Sequence, residues 1–353
     1  MIMPQTIILK IDPQNIAWDK IEQASDILKN GGLVAFPTET VYGVGVLATD
    51  QNAVASLYTL KQRDREKQFS VCIYRLQQLE EFVENVPVLA YKLIRKFWPG
   101  PLTLVLNAAD GRTIGVRMPA HSVSVSLLRR VEVPMFVPSA NLKGGKSPVC
   151  ANDVLKALSG QIHAVIDSGY TPLQLDSTVC KVEEDSYQIL RQGALAERMI
   201  KKAAKVKNIL FVCTGNSCRS PMAEGIMKKM IEEDHSFHIY SAGISAFDGM
   251  QATKEAVMVA AANGIDISGH RALMLTKEMV KESDYIFVME QMHKQTIIQK
   301  VKTSAKRVFL LNEFSGSYEG QVNIPDPIGR GMDFYEKIFD LLKNSIGKAM
   351  VKL

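Results

Sequence analysis

The residue pair with the clearest chemical potential is Cys213 and Arg219, which lie six positions apart within residues 209–227. Apolar residues run directly into Cys213, Gly215 and Asn216 follow it, and a Ser-Pro pair comes after Arg219. This order predicts a loop between a buried strand and a helix amino terminus, where free N–H groups and the helix dipole attract an anion. Arginine can bind two phosphate oxygens at once, and the same field stabilises a thiolate. We therefore expect a nucleophilic cysteine beside an anion site.

The helix that follows this loop carries its own start signal. Proline is favoured at the first helical position, so we expect Pro221 to begin the helix and Ser220 to cap it. Much later in the chain, an Asp-Pro pair at 326–327 offers a carboxylate. Taken alone, that pair is as typical of a simple turn as of a catalytic acid.

The first half of the chain contains a second set of residues that are suited to binding anions. A short basic segment carries Lys61, Arg63, Arg65 and Lys67. Such a density of positive charge suits a triphosphate, although a solvated helix end has the same composition. Segment 37–40 (PTET) offers the hydroxyls of Thr38 and Thr40 and an acceptor in Glu39, although taken alone it is typical of a polar turn between two strands. Segment 137–148 (VPSANLKGGKSP) is rich in hydroxyl, amide, glycine and lysine groups of the kind that hold a phosphate or a ribose.

The elements that would position these residues differ between the two halves. In residues 1–200, strands and helices of mixed spacing predict a mixed, twisted α/β sheet. Its predicted strands are 32–36, 69–74, 102–106, 113–119, a strand entering the 135–148 loop, 164–169, 177–183 and 187–193, with a helix at 53–61. We expect Trp98 to belong to the core.

From residue 207 onward the pattern becomes regular. Four short apolar strands, at 208–212, 237–243, 284–290 and 307–311, alternate with helices at 221–234, 251–263, 276–283 and 333–346. This alternation predicts a doubly wound, four-stranded parallel sheet. Ligands of such sheets bind at the carboxyl ends of the strands, where the Cys213 loop would lie.

Length and composition set the broader limits. The chain has 353 residues, a length that predicts two domains. Its net charge of +5 is compatible with nucleic acid as a ligand but does not indicate one. We expect domains at 1–200 and 207–353, joined by a linker at 201–206. Five widely spread cysteines and no signal-peptide pattern favour a reduced, cytoplasmic protein. The sequence has no apolar run of membrane-spanning length and no zinc-ligand spacing.

The stretch VCTGNSCRSP, with SAG at 241–243 and the later Asp-Pro pair, resembles the low-molecular-weight protein phosphatases. That resemblance implies that Cys213 is the nucleophile and forms a phosphocysteine, while Arg219 holds the phosphoryl oxygens. It also implies that Ser220 supports the thiolate, Asn216 shapes the loop and Asp326 protonates the leaving group. The substrate would be a phosphorylated protein.

The phosphorylated residue is left open by this resemblance. Tyrosine phosphatases of the family commonly have a bulky apolar residue at the position of Ser217, whereas the bacterial arginine phosphatases have a small hydroxyl residue there. Ser217 therefore favours phosphoarginine, while Ile328 replaces an aromatic residue of the arginine phosphatases. Arsenate reductases share the scaffold but use further cysteines, and this chain has none after Cys218. Cys218 is either a reversible oxidation partner of Cys213 or a packing residue.

An ordered set of segments over residues 10–195 resembles the threonylcarbamoyl-AMP synthases: PTETVYG, KxR, WPGPLT, VRMP, PSAN, DST and LRxG. The resemblance implies that this half condenses L-threonine, bicarbonate and ATP into threonylcarbamoyl-AMP and pyrophosphate. The product would feed the machinery that makes threonylcarbamoyladenosine in tRNA. ATP would be a substrate, with Mg²⁺, and no tightly bound cofactor or membrane partner is expected.

The same resemblance assigns binding residues by position. The residues implied for threonine are Thr38, Arg117, Ser139 and Ser177. The residues implied for ATP are Lys61, Arg63, Lys67, Thr113, Asn141, Ser147 and Arg191. Cys72 occupies a position where some members have histidine, and a lone Glu39 is too little to assign as a magnesium ligand.

The alternative to two enzymes is a pair of binding modules. The first half could be an RNA-binding module that has lost catalysis, since a basic groove accepts a phosphate backbone. The second half could bind phosphoproteins without hydrolysing them. Retention of the threonine and ATP residues, and of Cys213, Arg219 and Asp326, argues for turnover in both halves.

Overall fold

The computed structural model describes residues 5–108, 110–232, 234–316 and 322–353. The chain divides after Ala203 into two compact units, which we call unit 1 and unit 2. The division falls inside helix α6 (Glu197–Lys205), a basic helix that includes most of the predicted linker. No helix of the described residues combines the length and the apolarity that a membrane crossing requires.

Unit 1 is built on a mixed sheet of ten strands, in the order β1-β8-β2-β3-β7-β4-β6-β5-β9-β10. The strands are β1 (Ile7–Lys10), β2 (Val34–Pro37), β3 (Tyr42–Leu47), β4 (Val71–Cys72), β5 (Leu102–Asn107), β6 (Thr113–Arg117), β7 (Met135–Phe136), β8 (Ala164–Asp167), β9 (Thr178–Val182) and β10 (Tyr187–Arg191). Parallel pairs such as β2 with β8 lie beside antiparallel pairs such as β2 with β3. The predicted mixed α/β architecture is confirmed.

Helices cover both faces of this sheet. They are α1 (Trp18–Lys29), α2 (Gln51–Lys61), α3 (Val88–Phe97), α4 (Ser122–Val131) and α5 (Ala151–Leu158), with a 3-10 turn at Leu76–Glu81. Successive residues of β2 point to opposite faces, so Phe36 packs with α1 and α4 while Ala35 packs with α2 and α5. Each face therefore has its own core.

The strand predictions for unit 1 hold in position but not always in length. Only Val71–Cys72 of 69–74 and Met135–Phe136 of 135–148 form strands, because the chain then continues into loops. β3 was missed because every residue in it is buried and two are glycines, so it lacks the alternation of a half-exposed strand. Trp98 is a core residue, as predicted, and its indole Nε1 donates to the Leu102 oxygen at 2.7 Å.

Unit 2 has four parallel strands in the order β12-β11-β13-β14. They are β11 (Lys207–Cys213), β12 (Phe237–Gly243), β13 (Tyr285–Val288) and β14 (Val308–Leu310). The chain moves from β11 to one neighbour and later returns to the other, so the carboxyl end of β11 is a topological switch point. The predicted doubly wound sheet is confirmed, and Cys213 lies at the point where such sheets bind ligands.

The helices of unit 2 are α7 (Arg219–Ile231), α8 (Lys254–Ala262), α9 (Lys277–Glu282), α10 (Gln291–Lys300), α11 (Leu311–Ser315) and α12 (Met332–Met350), with a 3-10 turn at Lys302–Arg307. The expectation that Ser220 caps α7 and Pro221 begins it is wrong. Cys218 is the N-cap and Arg219 is the first helical residue, because the Ser220 hydroxyl turns back toward Cys213. Residue 233, within the predicted helix 221–234, lies outside the described residues.

Candidate active sites

The loop that follows β11, residues 213–219, is hereafter the thiol loop. It is held against the end of β12 by backbone hydrogen bonds, from Ile244 N to Cys213 O at 3.0 Å and from Ser245 N to Thr214 O at 2.9 Å. Gly243 makes this approach possible, since a Cβ there would lie 2.5 Å from Thr214 O. The glycine of the SAG segment (241–243) therefore allows the end of β12 to pack closely against the thiol loop, because it has no side chain.

The sulfur of Cys213 is buried, yet hydrogen-bonding groups surround it. Ser220 Oγ lies 2.9 Å from Cys213 Sγ, and the Asn216 N–H donates to the same sulfur at 3.3 Å. One backbone N–H and one hydroxyl therefore lie within hydrogen-bonding distance of this sulfur. The structure thus brings Ser220 and Asn216 to Cys213, as the resemblance to the phosphatases implies.

Asn216 holds the shape of the thiol loop. Its backbone is in the left-handed region, with φ of 53°, and its amide Nδ2 donates to Ser220 Oγ and to Ser241 Oγ, both at 2.9 Å. Its Oδ1 accepts from Leu273 N at 2.8 Å, and its backbone oxygen lies 2.8 Å from His270 Nε2. These contacts offset the cost of a conformation that residues other than glycine seldom adopt.

Arg219 is almost completely buried, with 1% of its surface exposed. Its Nη1 donates to Glu290 and to the Ile324 oxygen, and its Nη2 donates to Asp326 Oδ2. Its Nε has no hydrogen-bond partner among the described residues. The structure therefore brings the predicted general acid to the predicted phosphate-binding arginine, with one donor of the guanidinium still free.

Sequence reasoning missed two residues at this site, Glu290 and His293. Both come from the amino terminus of α10, where Glu290 is the N-cap and His293 completes a reciprocal capping arrangement. A glutamate followed three positions later by histidine, at the end of an apolar strand, was the available signal for that helix start. The role of Glu290 toward Arg219 had no local signal.

Hydroxyl groups surround the sulfur of Cys218. Its Sγ is 3.4 Å from Tyr335 Oη and 3.5 Å from Thr253 Oγ1. Burial and this contact raise the pKa of Tyr335, so the phenol stays protonated. All five cysteines are free. These contacts fit the packing role, while oxidation with Cys213 stays a prediction.

In unit 1, one cavity of about 200 Å³ collects six of the predicted binding residues. They come from separate parts of the chain and line its wall together: Thr38, Arg63, Arg117, Ser139, Ser177 and Arg191. Other lining groups that sequence reasoning did not assign include Tyr42, Thr103 and Asp176. The threonine set lies entirely within this cavity.

Arg117 is fixed by a buried ion pair that the sequence analysis did not predict. Its Nη2 lies 2.6 Å from Glu39 Oε1, and its Nε donates to Gly100 O at 3.2 Å. The other Glu39 oxygen accepts from Ala120 N at 2.9 Å. Glu39 therefore orients Arg117 rather than acting as a free carboxylate. Among the described residues, His, Cys, Asp and Glu form no group of three that could hold a metal.

The lining of this cavity also contains a pair of hydroxyl groups held by Arg191. Ser177 Oγ lies 2.8 Å from Thr103 Oγ1, and Arg191 Nη2 donates to Ser177 Oγ at 3.1 Å and to Ser177 O at 2.9 Å. Cys72 also lines the cavity, and burial raises the pKa of its thiol to about 12. The thiol is therefore neutral at physiological pH and offers a polar but uncharged surface.

A second cavity, of about 370 Å³, shares Arg63, Pro138 and Ser139 with the first. Its lining includes the predicted ATP residues Lys61, Lys67 and Asn141. Lys61 Nζ donates to Ser139 O at 2.8 Å and to Asn141 Oδ1 at 3.1 Å, so it connects the end of α2 to the loop that follows β7. Burial, with Arg63 nearby, lowers the pKa of Lys61 to about 8.

Two of the predicted ATP residues, Ser147 and Thr113, line neither cavity. Ser147 is outside both linings, but its hydroxyl donates to Asp176 Oδ1 at 2.9 Å, and Asp176 lines the first cavity. Thr113 is exposed at the start of β6 and lines neither cavity. Thr113 begins β6 and Arg117 ends it, and of the two only Arg117 lines the first cavity.

Comparisons with known proteins follow the same division. Residues 26–193 match the family model Sua5/YciO/YrdC, described as telomere recombination, and residues 208–353 match the low molecular weight phosphotyrosine protein phosphatases. The chain belongs to both families: it is a fusion of a threonylcarbamoyl-AMP synthase domain and a low-molecular-weight phosphatase domain. Both domains are of enzyme families.

The threonylcarbamoyl-AMP synthase of Pyrococcus abyssi is 36% identical over 230 residues, which is 63% of this chain and 67% of the relative. The threonylcarbamoyl-AMP synthase of Bacillus subtilis is 36% identical over 54% of this chain, and the match covers 56% of that relative. A crystal structure of Pyrococcus abyssi Sua5 complexed with L-threonine is 27% identical, with a TM-score of 0.54, covering 81% of this chain and 100% of that one. For the second half, a probable low molecular weight protein-tyrosine-phosphatase of Ralstonia nicotianae is 36% identical over 40% of this chain and 92% of the relative.

Proposed function

We propose that unit 1 condenses L-threonine, bicarbonate and ATP into threonylcarbamoyl-AMP and pyrophosphate. The observation that carries this proposal is the joining of two cavities through Arg63 and Ser139. One holds the residues assigned to threonine and the other holds cationic residues suited to a triphosphate. All the reactants are anionic or carry carboxylates, so converging cations reduce their mutual repulsion while hydroxyl groups fix their geometry.

Within that reaction, Arg117 would bind the threonine carboxylate, oriented by its ion pair with Glu39. Thr38, Ser139 and Ser177 would bind the remaining polar groups of threonine. Lys61, Arg63, Lys67, Asn141 and Arg191 would bind ATP, and Ser147 would support the site through Asp176. A contact between Thr113 and ATP stays a prediction.

ATP would enter as its magnesium complex, since Mg²⁺ is usually held by substrate phosphates and water with only one or two carboxylates. The product would serve the modification of tRNA to threonylcarbamoyladenosine. L-threonine is the molecule bound in the related Sua5 crystal structure, which supports the substrate assignment. A cytoplasmic location is part of the same proposal, because all five cysteines are free thiols.

We propose that unit 2 hydrolyses a phosphorylated protein through a phosphocysteine. The Cys213 thiolate attacks phosphorus, and the bond from phosphorus to the leaving nitrogen or oxygen breaks. Asp326 gives the leaving group its proton, and Arg219 with the thiol-loop amides binds the phosphoryl oxygens. Water then attacks the phosphocysteine, returns a proton to Asp326 and releases phosphate with the free thiolate.

Phosphoarginine is the proposed substrate of this unit, ahead of phosphotyrosine. Ser217 is a small residue of the thiol loop, anchored by a hydrogen bond from Thr253 N to its backbone oxygen at 2.9 Å. A hydroxyl at this position leaves space and a hydrogen-bonding group for a guanidinium, whereas a bulky apolar side chain favours an aromatic ring. This distinction rests on the residue type at one position.

The two activities are tested together by a reciprocal pair of variants of the full chain. Cys213→Ser is expected to abolish phosphate release and leave pyrophosphate release unchanged, because serine is a far weaker nucleophile. Arg117→Ala is expected to abolish threonine-dependent pyrophosphate release and leave phosphate release unchanged. Phosphate release that survives in Cys213→Ser would remove the nucleophile assignment. Unchanged pyrophosphate output in Arg117→Ala would remove Arg117 from the threonine site.

A further inference from the structure

His293 connects two parts of the anion site in unit 2 and is shielded from solvent. It is the third residue of α10 and is completely buried. Its Nδ1 accepts a hydrogen bond from Glu290 N at 3.1 Å, and its Nε2 lies 2.9 Å from Thr214 Oγ1. Since Nδ1 accepts, the neutral ring carries its proton on Nε2 and donates it to the Thr214 hydroxyl.

The ring remains in this neutral form across the physiological range. Burial, and then the positive charge of Arg219, lower the pKa of His293 to about 4, while Glu290 and Asp326 oppose the shift. A neutral imidazole with one donor and one acceptor is therefore a fixed connector between two backbone segments. A charged ring would have two donors and would repel Glu290 N–H.

Each end of this connector supports a different part of the anion site. Thr214 is the residue directly after Cys213, and its backbone oxygen accepts from Ser245 N at 2.9 Å. Glu290 is the N-cap of α10, and its carboxylate accepts from Arg219 Nη1. The nucleophile side and the arginine side of the site are thus joined through one side chain.

We propose that His293 is a positioning residue of the phosphatase site, holding the thiol loop and the Glu290–Arg219 pair in register. The inference rests on the proposed phosphatase activity of unit 2. His293 touches neither the phosphoryl group nor the sulfur in this role. Its effect is on geometry, and displacement of a reacting group by about 1 Å can cost on the order of 100-fold in rate.

The test uses the full-length chain, with para-nitrophenyl phosphate as substrate and inorganic phosphate as a ligand measured by titration calorimetry. His293→Leu removes both nitrogen contacts, and Thr214→Val removes only the hydroxyl that His293 bonds. We expect each to lower kcat/KM about tenfold or more and to weaken phosphate binding by a similar factor. We expect His293→Gln to recover part of the loss, because its amide nitrogen can donate to Thr214.

Coupling between the two variants separates positioning from simple destabilisation. If the two residues act through one hydrogen bond, the double variant His293→Leu/Thr214→Val falls no further than the worse single variant. Thr296→Val is the matched control, because its hydroxyl donates to Met292 O at 2.9 Å within the same helix and contacts no site residue in the described structure. It should leave kcat/KM and phosphate affinity unchanged.

Distinct outcomes would overturn the proposal. If the wild-type chain is active and both Thr214→Val and His293→Leu keep its kcat/KM and phosphate affinity, the positioning role is refuted. The phosphatase assignment then stands. Fully additive losses in the double variant would also refute it. A wild-type chain that neither hydrolyses the aryl phosphate nor binds phosphate would refute both the positioning role and the proposed function. If the wild-type chain binds phosphate without turnover, the proposed phosphatase function is refuted. Weaker phosphate binding by His293→Leu and Thr214→Val would then still support the positioning role, and unchanged binding would refute it.

Discussion

At the scale of single residues, both sites pair a buried, chemically assigned arginine with a carboxylate of opposite charge. Arg117 is paired with Glu39, and Arg219 is paired with Glu290 and Asp326. Removing the carboxylate partner of a buried guanidinium leaves its charge uncompensated, so these partners are part of the sites. The carboxylates hold each guanidinium in place before an anionic substrate arrives.

The residue at position 217 is expected to set the preference between phosphoarginine and phosphotyrosine. Ser217→Ile should lower kcat/KM for phosphoarginine by about tenfold or more relative to phosphotyrosine, because the hydroxyl and the space beside it are lost. A substrate panel on purified full-length protein measures the ratio. Ser217→Thr keeps the hydroxyl and should keep the preference. An unaltered ratio in Ser217→Ile would show that another position decides specificity.

The low pKa of Lys61 predicts a pH dependence for ATP use. Lys61 is charged below about pH 8 and neutral above it, so kcat/KM for ATP should decline as the pH rises through this value. Lys61→Arg keeps its charge and should lack this alkaline decline, whatever its absolute rate. The measurement is the pH profile of pyrophosphate release at low ATP. The same decline in Lys61→Arg would assign it to a different group.

At the scale of elements, each site is created where a strand ends and a loop must turn back. β11 and β12 end side by side, with Cys213 paired to Gly243 in register. Hydrogen bonds then connect the thiol loop to segments beyond β12, among them those made by Ile244, Ser245 and His270. The geometry of the nucleophile therefore depends on how closely β12 can approach it.

Gly243→Ala tests that dependence. The new Cβ would lie 2.5 Å from Thr214 O and 2.9 Å from Asn216 N, and both are backbone atoms that cannot rotate away. We expect a loss of phosphate release of about tenfold or more, with pyrophosphate release unchanged. Gly269→Ala is the matched control, since no atom lies within 4 Å of a Cβ there. Wild-type phosphatase activity in Gly243→Ala would mean that the thiol loop tolerates displacement.

At the scale of the whole molecule, the chain consists of two units that each bury their own cores on both faces of a sheet. In unit 1, alternate residues of β2 face α1 with α4 or α2 with α5. In unit 2, Phe211 faces α7, α8 and α12, whereas Val212 faces α9 and α10. Complete cores of this kind are the condition for cooperative unfolding of each unit.

We therefore expect two transitions in differential scanning calorimetry of the full chain. Inorganic phosphate should raise the midpoint of one transition, and L-threonine with ATP should raise the other, because a ligand stabilises the unit that binds it. Cys213→Ser and Arg117→Ala identify which transition belongs to which unit. A single transition raised by either ligand would show that the two units unfold together.

Much of both sites could be predicted because their signals are local. A cysteine, a glycine-containing loop and an arginine between an apolar run and a helix start are all within twenty residues, and short-range backbone chemistry decides what they form. In the same way, the hydrophobic patterns of 208–212 and 237–243 predicted β11 and β12, since a parallel strand is buried on both faces.

The remaining parts of the sites depend on contacts between distant segments. Glu39 lies 78 positions from Arg117, and Glu290 lies 71 positions from Arg219, yet each pair shares a hydrogen bond. Thr113, assigned by position alone, lines neither cavity, while Asp176 and His293 support the sites without any local pattern. The sequence alone determined which groups can do the chemistry, because reactivity belongs to residue types and their immediate loops. Only the tertiary structure decided which carboxylates and which imidazole hold the reactive groups in place, because the packing of whole strands and helices brings those distant partners together.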